Sequence, residues 1–148
     1  MIFLLLPLLV SSLELCRVEV ENNFPLQRGF IDAYLSQKVF EILTETGWVP
    51  NCKNGTTVEV VVNSVSYRGA TISQNRFGGY TFTIDFTVKL PDREFRYTLT
   101  RYIDLPNPSE GTLPIRSALI DLLDSYQIMI KKDLLNYLRE RENNSILK

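Results

Sequence analysis

The sequence contains no histidine and only two cysteines among its 148 residues. Histidine is the commonest general base and the commonest metal ligand, and serine–histidine and cysteine–histidine pairs activate many nucleophiles. Two cysteines are too few for a four-cysteine zinc site. Asp85 and Glu94 remain as carboxylate candidates, but both lie in alternating strand segments where a solvated face is expected. We therefore expect that the protein is not an enzyme and that it has neither a metal site nor a cofactor.

Glycine-rich phosphate loops, long apolar runs and a strong net charge are also missing. Gly78-Gly79 is a lone pair and is typical of a turn. No later segment approaches the roughly 18 consecutive apolar residues of a transmembrane helix. Lysine and arginine (16) nearly balance aspartate and glutamate (17). This balance does not favour binding to nucleic acid or to an anionic membrane.

The first residues differ from the rest of the chain. Residues 1–10 are apolar, and Ser11 and Ser12 follow them. Such a run is too short to span a bilayer, and small residues after it are typical of a secretory signal peptide. We expect a signal peptide over residues 1–12, the alternatives being a hydrophobic N-terminal strand or a short anchor, and a single domain over residues 13–148.

The first half of the domain predicts a strand, a helix and a second strand. Residues 17–21 alternate as in a short strand. Apolar residues over 29–46 have helical spacing, and Gly47 stands where a left-handed helix cap is expected. A second strand starts at Thr56, and its apolar positions shift by an odd number after Asn63, which predicts a β-bulge.

The second half predicts a hairpin and a long helix. After an expected loop over 69–79, the segment YTFTIDFTVKL (80–90) alternates without a fault, with its aromatic and aliphatic residues facing inward. A one-residue slip would bury Asp85 and Lys89, so the register is well defined. A tight turn at 91–93 leads to a fourth strand.

A last helix is predicted from Pro114 to about Arg139, with a frayed polar tail over 138–148. Its predicted buried stripe consists of Ile115, Leu119, Leu122, Tyr126, Met129, Ile130 and Tyr137. The element order β-α-β-β-β-α predicts a two-layer α+β sandwich, in which a four-stranded mixed sheet carries both helices on one face. The first two strands should be parallel because a helix connects them.

Several segments resemble the LptE family, the lipopolysaccharide-assembly lipoproteins of Gram-negative outer membranes. The resemblance runs from about Val18 to Leu138. It rests on VEVENNF before the first helix, VVNSVSYRG and YTFTIDFTVKL in the strands, PDREF at the turn, and DLPNP before the last helix. It implies a non-enzymatic protein that plugs the β-barrel LptD, assists its assembly and contacts lipopolysaccharide.

The resemblance also suggests site residues. A basic residue ahead of the third strand is implied to contact lipopolysaccharide, and Arg76 occupies that place, with Arg68 at the other end of the loop as a second candidate. Before the last helix, where the family has another basic residue, this chain has Glu110.

The remaining candidates are apolar residues that lie off the predicted core stripes. Phe40, Ile120 and Ile128 are candidate contacts with the barrel. An alternative function for a small exported domain of this class is a periplasmic adaptor that binds protein in another transport or secretion complex. Co-purification with an outer-membrane barrel distinguishes the two.

Cys16 has three alternative fates: a lipid anchor, a free thiol or a disulfide with Cys52. Leu13-Glu14-Leu15 precede it, whereas a lipid-acceptor cysteine requires small residues at these positions. Parallel neighbouring strands start at the same end of a sheet, which would bring Cys16 near Cys52 and favours the disulfide. The protein would then be held at the periplasmic side of the outer membrane through its partner barrel.

Overall fold

A computed structural model describes residues 13–73, 76–103 and 114–147, so the predicted signal peptide over 1–12 lies outside the described residues. Two helices and five strands follow one another along the chain. The elements are β1 (Glu14–Glu21), α1 (Arg28–Glu45), β2 (Val49–Pro50), β3 (Thr56–Ser73), β4 (Arg76–Leu90), β5 (Arg93–Ile103) and α2 (Pro114–Leu147). Neither described helix has an apolar stretch long enough to cross a membrane.

The strands form one mixed sheet in the order β2-β1-β3-β4-β5. β1 pairs parallel with β3, as predicted for strands that a helix connects, and β3, β4 and β5 form an antiparallel meander. The α+β sandwich is therefore confirmed. The predicted count of four strands is wrong, because β2 adds a fifth at the sheet edge. Two residues are too few to show any alternation in the sequence.

A single hydrophobic core fills the space between the sheet and the two helices. The inward side chains of β4 are buried as the alternation predicts, namely Phe82, Ile84, Phe86, Val88 and Leu90. Thr81 and Thr83 alternate with them and do not belong to this core. The predicted register of the central strand is confirmed.

The segment that follows α1 closes one end of the core. Gly47 has φ +119, the left-handed conformation expected after a helix, and a Cβ added there would lie 3.2 Å from Leu138. Trp48 is only 2% exposed, and its ring stacks on that of Tyr137 with 6.4 Å between the centroids. Trp48 is thus a core residue.

The β3–β4 hairpin is longer than predicted. The bulge is present, because the pairing register shifts between Val62 and Ser64. The predicted loop over 69–79 is wrong: the strands remain paired as far as Ser73 and Arg76. Backbone hydrogen bonds can extend a ladder without apolar alternation, so the sequence pattern does not reveal this extension.

The last helix also runs further than predicted, to Leu147 instead of about Arg139. Tyr137 donates a 2.7 Å hydrogen bond to Asp92 in the β4–β5 turn, and Arg141 lies 3.4 Å from the same carboxylate. These contacts hold the helix against the turn, so the segment predicted as a frayed tail continues the helix.

The buried stripe of α2 differs from the predicted one. Tyr126 is 38% and Met129 is 41% exposed. Three residues outside the predicted stripe are buried instead, namely Ala118, Leu123 and Leu134. The helix packs against α1 as well as the sheet, with Lys38 lying 3.4 Å from Asp124. The buried surface of α2 therefore depends on two neighbours, α1 and the sheet, and a prediction based on the sheet alone includes only one of them.

Candidate functional site

The sheet face turned away from the helices, here called the outer face, is polar and rich in threonine. Its threonines are Thr57, Thr81, Thr83, Thr87, Thr98 and Thr100. Thr83 and Thr100 form a cross-strand pair with their hydroxyl oxygens 3.1 Å apart. Such pairs stabilise neighbouring strands without apolar cover.

Asp85 lies at the centre of the outer face and is buried, only 6% exposed. This corrects the expectation of a solvated carboxylate. Arg96 donates to both of its oxygens, at 2.7 Å from Nη2 to Oδ2 and 3.0 Å from Nε to Oδ1. Thr98 donates at 3.1 Å, and Asn63, within the β-bulge, donates at 3.0 Å.

These hydrogen bonds, with Arg96 the strongest contributor, lower the pKa of Asp85 to about 2 although burial opposes the shift. A carboxylate held ionised by donors on both oxygens is a poor general base near neutral pH. We therefore interpret Asp85 as a structural anchor of the outer face. Its partners Asn63 and Arg96 were not foreseen from the sequence, although the bulge at Asn63 was.

The β3–β4 hairpin projects beyond its neighbouring strands. On one side the pairing with β1 ends at Val61, and on the other side the pairing with β5 ends at Tyr80. The rest of the hairpin is a two-stranded ribbon that continues to Ser73 and Arg76. At the root of this ribbon, Tyr67 stacks on Tyr80 with 4.3 Å between ring centroids.

Both arginines predicted to contact lipopolysaccharide belong to this hairpin. Arg68 is exposed and lies opposite Thr81 on the outer face. Arg76 stands opposite Ser73 at the end of the ribbon, and its side chain lies outside the described part of the structure. At a rise of about 3.3 Å per residue, the two backbone positions are roughly 15 Å apart. Glu110 lies outside the described residues.

A row of exposed apolar residues runs along α2, and we call it the outer stripe. It consists of Ile120 (36% exposed), Ile128 (78%) and Leu135 (37%). Spacings of eight and seven residues place all three within an arc of about 80° at roughly 100° per residue. Leu135 was not predicted, although its position seven residues after Ile128 is the relevant signal.

Phe40 does not share this exposure. It is half-buried and packs against the hydrophobic core. It lies on α1, whereas the outer stripe lies on α2. We therefore leave Phe40 out of the proposed contact surface.

Cys16 and Cys52 are joined by a disulfide with 4.2 Å between their Cα atoms. This is the fate that the sequence favours, and neither cysteine of the chain is free. β1 begins at Glu14, and Leu15 is completely buried in the core. A lipid on an N-terminal Cys16 would require cleavage after Leu15 and would remove that core residue.

The turn that carries Cys52 packs tightly against β1. A Cβ added at Gly55 would lie 1.9 Å from the carbonyl oxygen of Asn51 and 2.7 Å from the backbone nitrogen of Cys16. Only glycine fits so close to two backbones. Among the described side chains, no group of three or more acidic or cysteine residues is arranged to hold a metal ion.

No protein-family model matches the chain, and no curated protein matches its sequence. The solved structures that are similar to it over most of its length include the following three. A minor lipoprotein from Acinetobacter baumannii is 13% identical with a TM-score of 0.35, covering 92% of this chain and 93% of that one. Rare lipoprotein B from Shewanella oneidensis is 14% identical with a TM-score of 0.33, covering 86% and 96%.

The third is a homolog of a neuraminyllactose-binding hemagglutinin from Helicobacter pylori. It is 11% identical with a TM-score of 0.46, covering 94% of this chain and 91% of that one. Two of the three structures are thus described as lipoproteins. Similarity at this level assigns neither a family nor a function to this chain.

Proposed function

We propose that the chain is a non-enzymatic component of lipopolysaccharide transport to the outer-membrane surface, where it plugs an LptD-type β-barrel and assists its assembly. The outer stripe of α2 carries the proposal. Its three apolar side chains stand in a row on the solvent side of a helix, and aligned exposed apolar residues are typical of a surface that another protein covers. The resemblance of the strand segments to the LptE family supports the choice of partner.

The polar outer face is compatible with a position inside a barrel, and the projecting hairpin is compatible with a contact to lipopolysaccharide. A barrel lumen is polar, so a threonine-rich sheet face is compatible with lying against it. Arg68 and Arg76 lie far enough apart along the hairpin to contact separate phosphates. Arginine binds phosphate with parallel hydrogen bonds, which makes it suitable for this contact.

Localisation follows from the same proposal. The disulfide occupies the sulfur of Cys16, which leaves it unable to carry a lipid while the bridge is closed. The protein would therefore be held at the periplasmic side of the outer membrane by the barrel. An oxidising compartment such as the periplasm maintains a bridge of this kind.

A double variant of the outer stripe tests the contact with the barrel. We expect Ile120→Glu with Ile128→Glu to lower the amount of LptD-type barrel that co-purifies with the tagged chain at least tenfold. Burial of one isoleucine contributes roughly 1.5–3 kcal/mol, and a buried unpaired charge opposes binding further. The barrel is identified and quantified by mass spectrometry of detergent-extracted outer membranes.

Ser125→Glu is the matched control, because Ser125 is exposed on the same helix but lies off the outer stripe. It should leave barrel recovery unchanged. Equal recovery with the double variant and the control would contradict the proposed contact. Recovery of a soluble periplasmic complex with no barrel would instead support the adaptor function.

The two hairpin arginines give a separate prediction. We expect Arg68→Ala with Arg76→Ala to weaken binding of purified lipopolysaccharide about tenfold or more, because each charged hydrogen bond contributes roughly 1.5–3 kcal/mol. Titration of fluorescently labelled lipopolysaccharide measures the affinity. The control is Arg17→Ala with Lys53→Ala, which removes the same charge from two exposed residues near the disulfide, at the other end of the sheet. If both double variants bind equally well, the arginines have no specific role.

A further inference from the structure

The two edges of the sheet differ. One edge is β2, which has two residues and includes Pro50, a residue without an N–H to donate. The other edge is β5, whose 11 residues pair with β4 from Arg93 to Ile103 without a register shift. No described strand pairs with its second side. A long, regular edge strand is a template for pairing with another chain.

The arginines on β5 do not protect this edge. Each arginine of the strand is paired with a carboxylate of its own chain, the pairs being Arg93 with Glu140, Arg96 with Asp85 and Arg101 with Asp121. Charged side chains usually discourage edge-to-edge pairing. Here the charge of each arginine is balanced within the chain, so the arginines do not give β5 this protection.

The sequence of β5 is compatible with its own copy. If a two-fold axis passes through Thr98, residues equally far before and after Thr98 face each other. Arg96 then faces Thr100 of the second copy, and Arg101 faces Phe95, so no like charges are opposed. An axis one residue earlier would place Arg93 opposite Arg101 and is disfavoured.

One flank of α2 lies above β5. Tyr126, Met129, Asp133 and Glu140 have spacings of three, four and seven residues, so they share this flank. Asp133 accepts a 2.8 Å hydrogen bond from Tyr97 of β5, and Glu140 contacts Arg93, the first residue of β5. The two apolar members of the flank are therefore beside the open edge.

Those two residues lie level with the middle of β5. Asp121 pairs with Arg101 at 3.3 Å, and Asp133 contacts Tyr97, so the helix between them crosses the centre of the strand. Tyr126 is 38% and Met129 is 41% exposed there, close to the axis through Thr98.

We propose that β5 pairs antiparallel with β5 of a second copy of this chain, about a two-fold axis through Thr98. The ten strands would form one continuous sheet with all four helices on the same face. Tyr126 and Met129 would be covered by the same flank of the second α2. A two-fold pairing of identical edges closes on itself and does not propagate into a fibre.

A cysteine placed on the proposed axis tests the register. Facing residues in an antiparallel pair have Cα atoms about 4.5–5.5 Å apart, which is within disulfide range. We expect purified Thr98→Cys to form a covalent dimer under mild oxidation. Thr100→Cys is the control: its two cysteines would be roughly 13 Å apart, so no covalent cross-link should form between them. Equal cross-linking of the two variants, or none, would overturn the proposal.

Sedimentation of the purified chain, in the absence of a barrel protein, tests the contact between the α2 helices of the two copies. The wild type should show a concentration-dependent dimer, and Met129→Glu should weaken it at least tenfold. Ile128→Glu, a neighbouring substitution on the outer stripe, should leave it unchanged. A wild type that stays monomeric at every concentration, or equal losses in both variants, would overturn the proposal. Because only the purified chain is used, these outcomes do not depend on the proposed transport function.

Discussion

Replacing both cysteines with serine is expected to cost about 3 to 4 kcal/mol of unfolding free energy. The bridge joins residues 36 positions apart, and in the chain-entropy model its main effect is to restrict the unfolded chain. It also holds the turn around Cys52 against β1, where Leu15 enters the core. Urea unfolding of the oxidised protein and of the Cys16→Ser, Cys52→Ser variant measures this difference.

A reductant provides the internal control. It should lower the unfolding midpoint of the wild type to that of the double serine variant, and it should leave the variant itself unchanged. Equal midpoints for the oxidised wild type and the variant would contradict a stabilising bridge. Intact-mass analysis of the exported protein adds an independent check, since a diacylglycerol-sized increment on Cys16 would contradict the disulfide directly.

The second large effect concerns acid stability. Hydrogen bonds led by Arg96 lower the pKa of Asp85 from 3.8 to about 2. A lowered pKa in the folded state gives stability that is present above the unfolded value of 3.8 and is lost as pH falls through about 2. This difference corresponds to about 2 kcal/mol.

Asp85→Asn should therefore be about 2 kcal/mol less stable than the wild type at pH 6, and the gap should close as pH falls towards 2. Urea unfolding at a series of pH values measures it. Glu94→Gln removes an exposed carboxylate from the neighbouring strand, and its stability should follow the wild type at each pH. A gap between wild type and Asp85→Asn that stays constant down to pH 2 would show that the ionised carboxylate contributes nothing.

The central strand could be predicted from the sequence because its constraint is local. YTFTIDFTVKL alternates perfectly, and only one register keeps Lys89 exposed and Phe82 buried. The bulge beside Asn63 was visible for the same reason, since an odd shift in apolar positions has few other causes. The parallel pairing of β1 with β3 could be predicted because a helix connects the two strands.

The remaining features depend on contacts between distant segments. The continuation of α2 beyond Arg139 depends on Asp92, which accepts a hydrogen bond from Tyr137. Burial of Asp85 requires donors from two neighbouring strands, so alternation alone assigned it to a solvated face. Met129 is exposed although it has the spacing of a core residue, because the buried surface of α2 depends on how the helix packs against both the sheet and α1. Sequence periodicity does not contain this information.

The candidate surfaces were predicted only in part. Ile120 and Ile128 lie on the exposed side of α2 as expected, because their positions lie off the core stripe of a single helix. Phe40 also lies off a stripe, yet it is half-buried. Arg76 was expected in a loop but belongs to a paired strand. The chemistry of each residue was evident from its type, whereas its surroundings depend on the fold.

The amount of folded LptD-type barrel in the outer membrane after depletion of this chain tests the central proposal most directly. The account predicts that the barrel falls with the chain and that cells become sensitive to large antibiotics. Expression of Ser125→Glu should restore both, whereas expression of Ile120→Glu with Ile128→Glu should not. An unchanged barrel level and an intact permeability barrier after depletion would contradict the account.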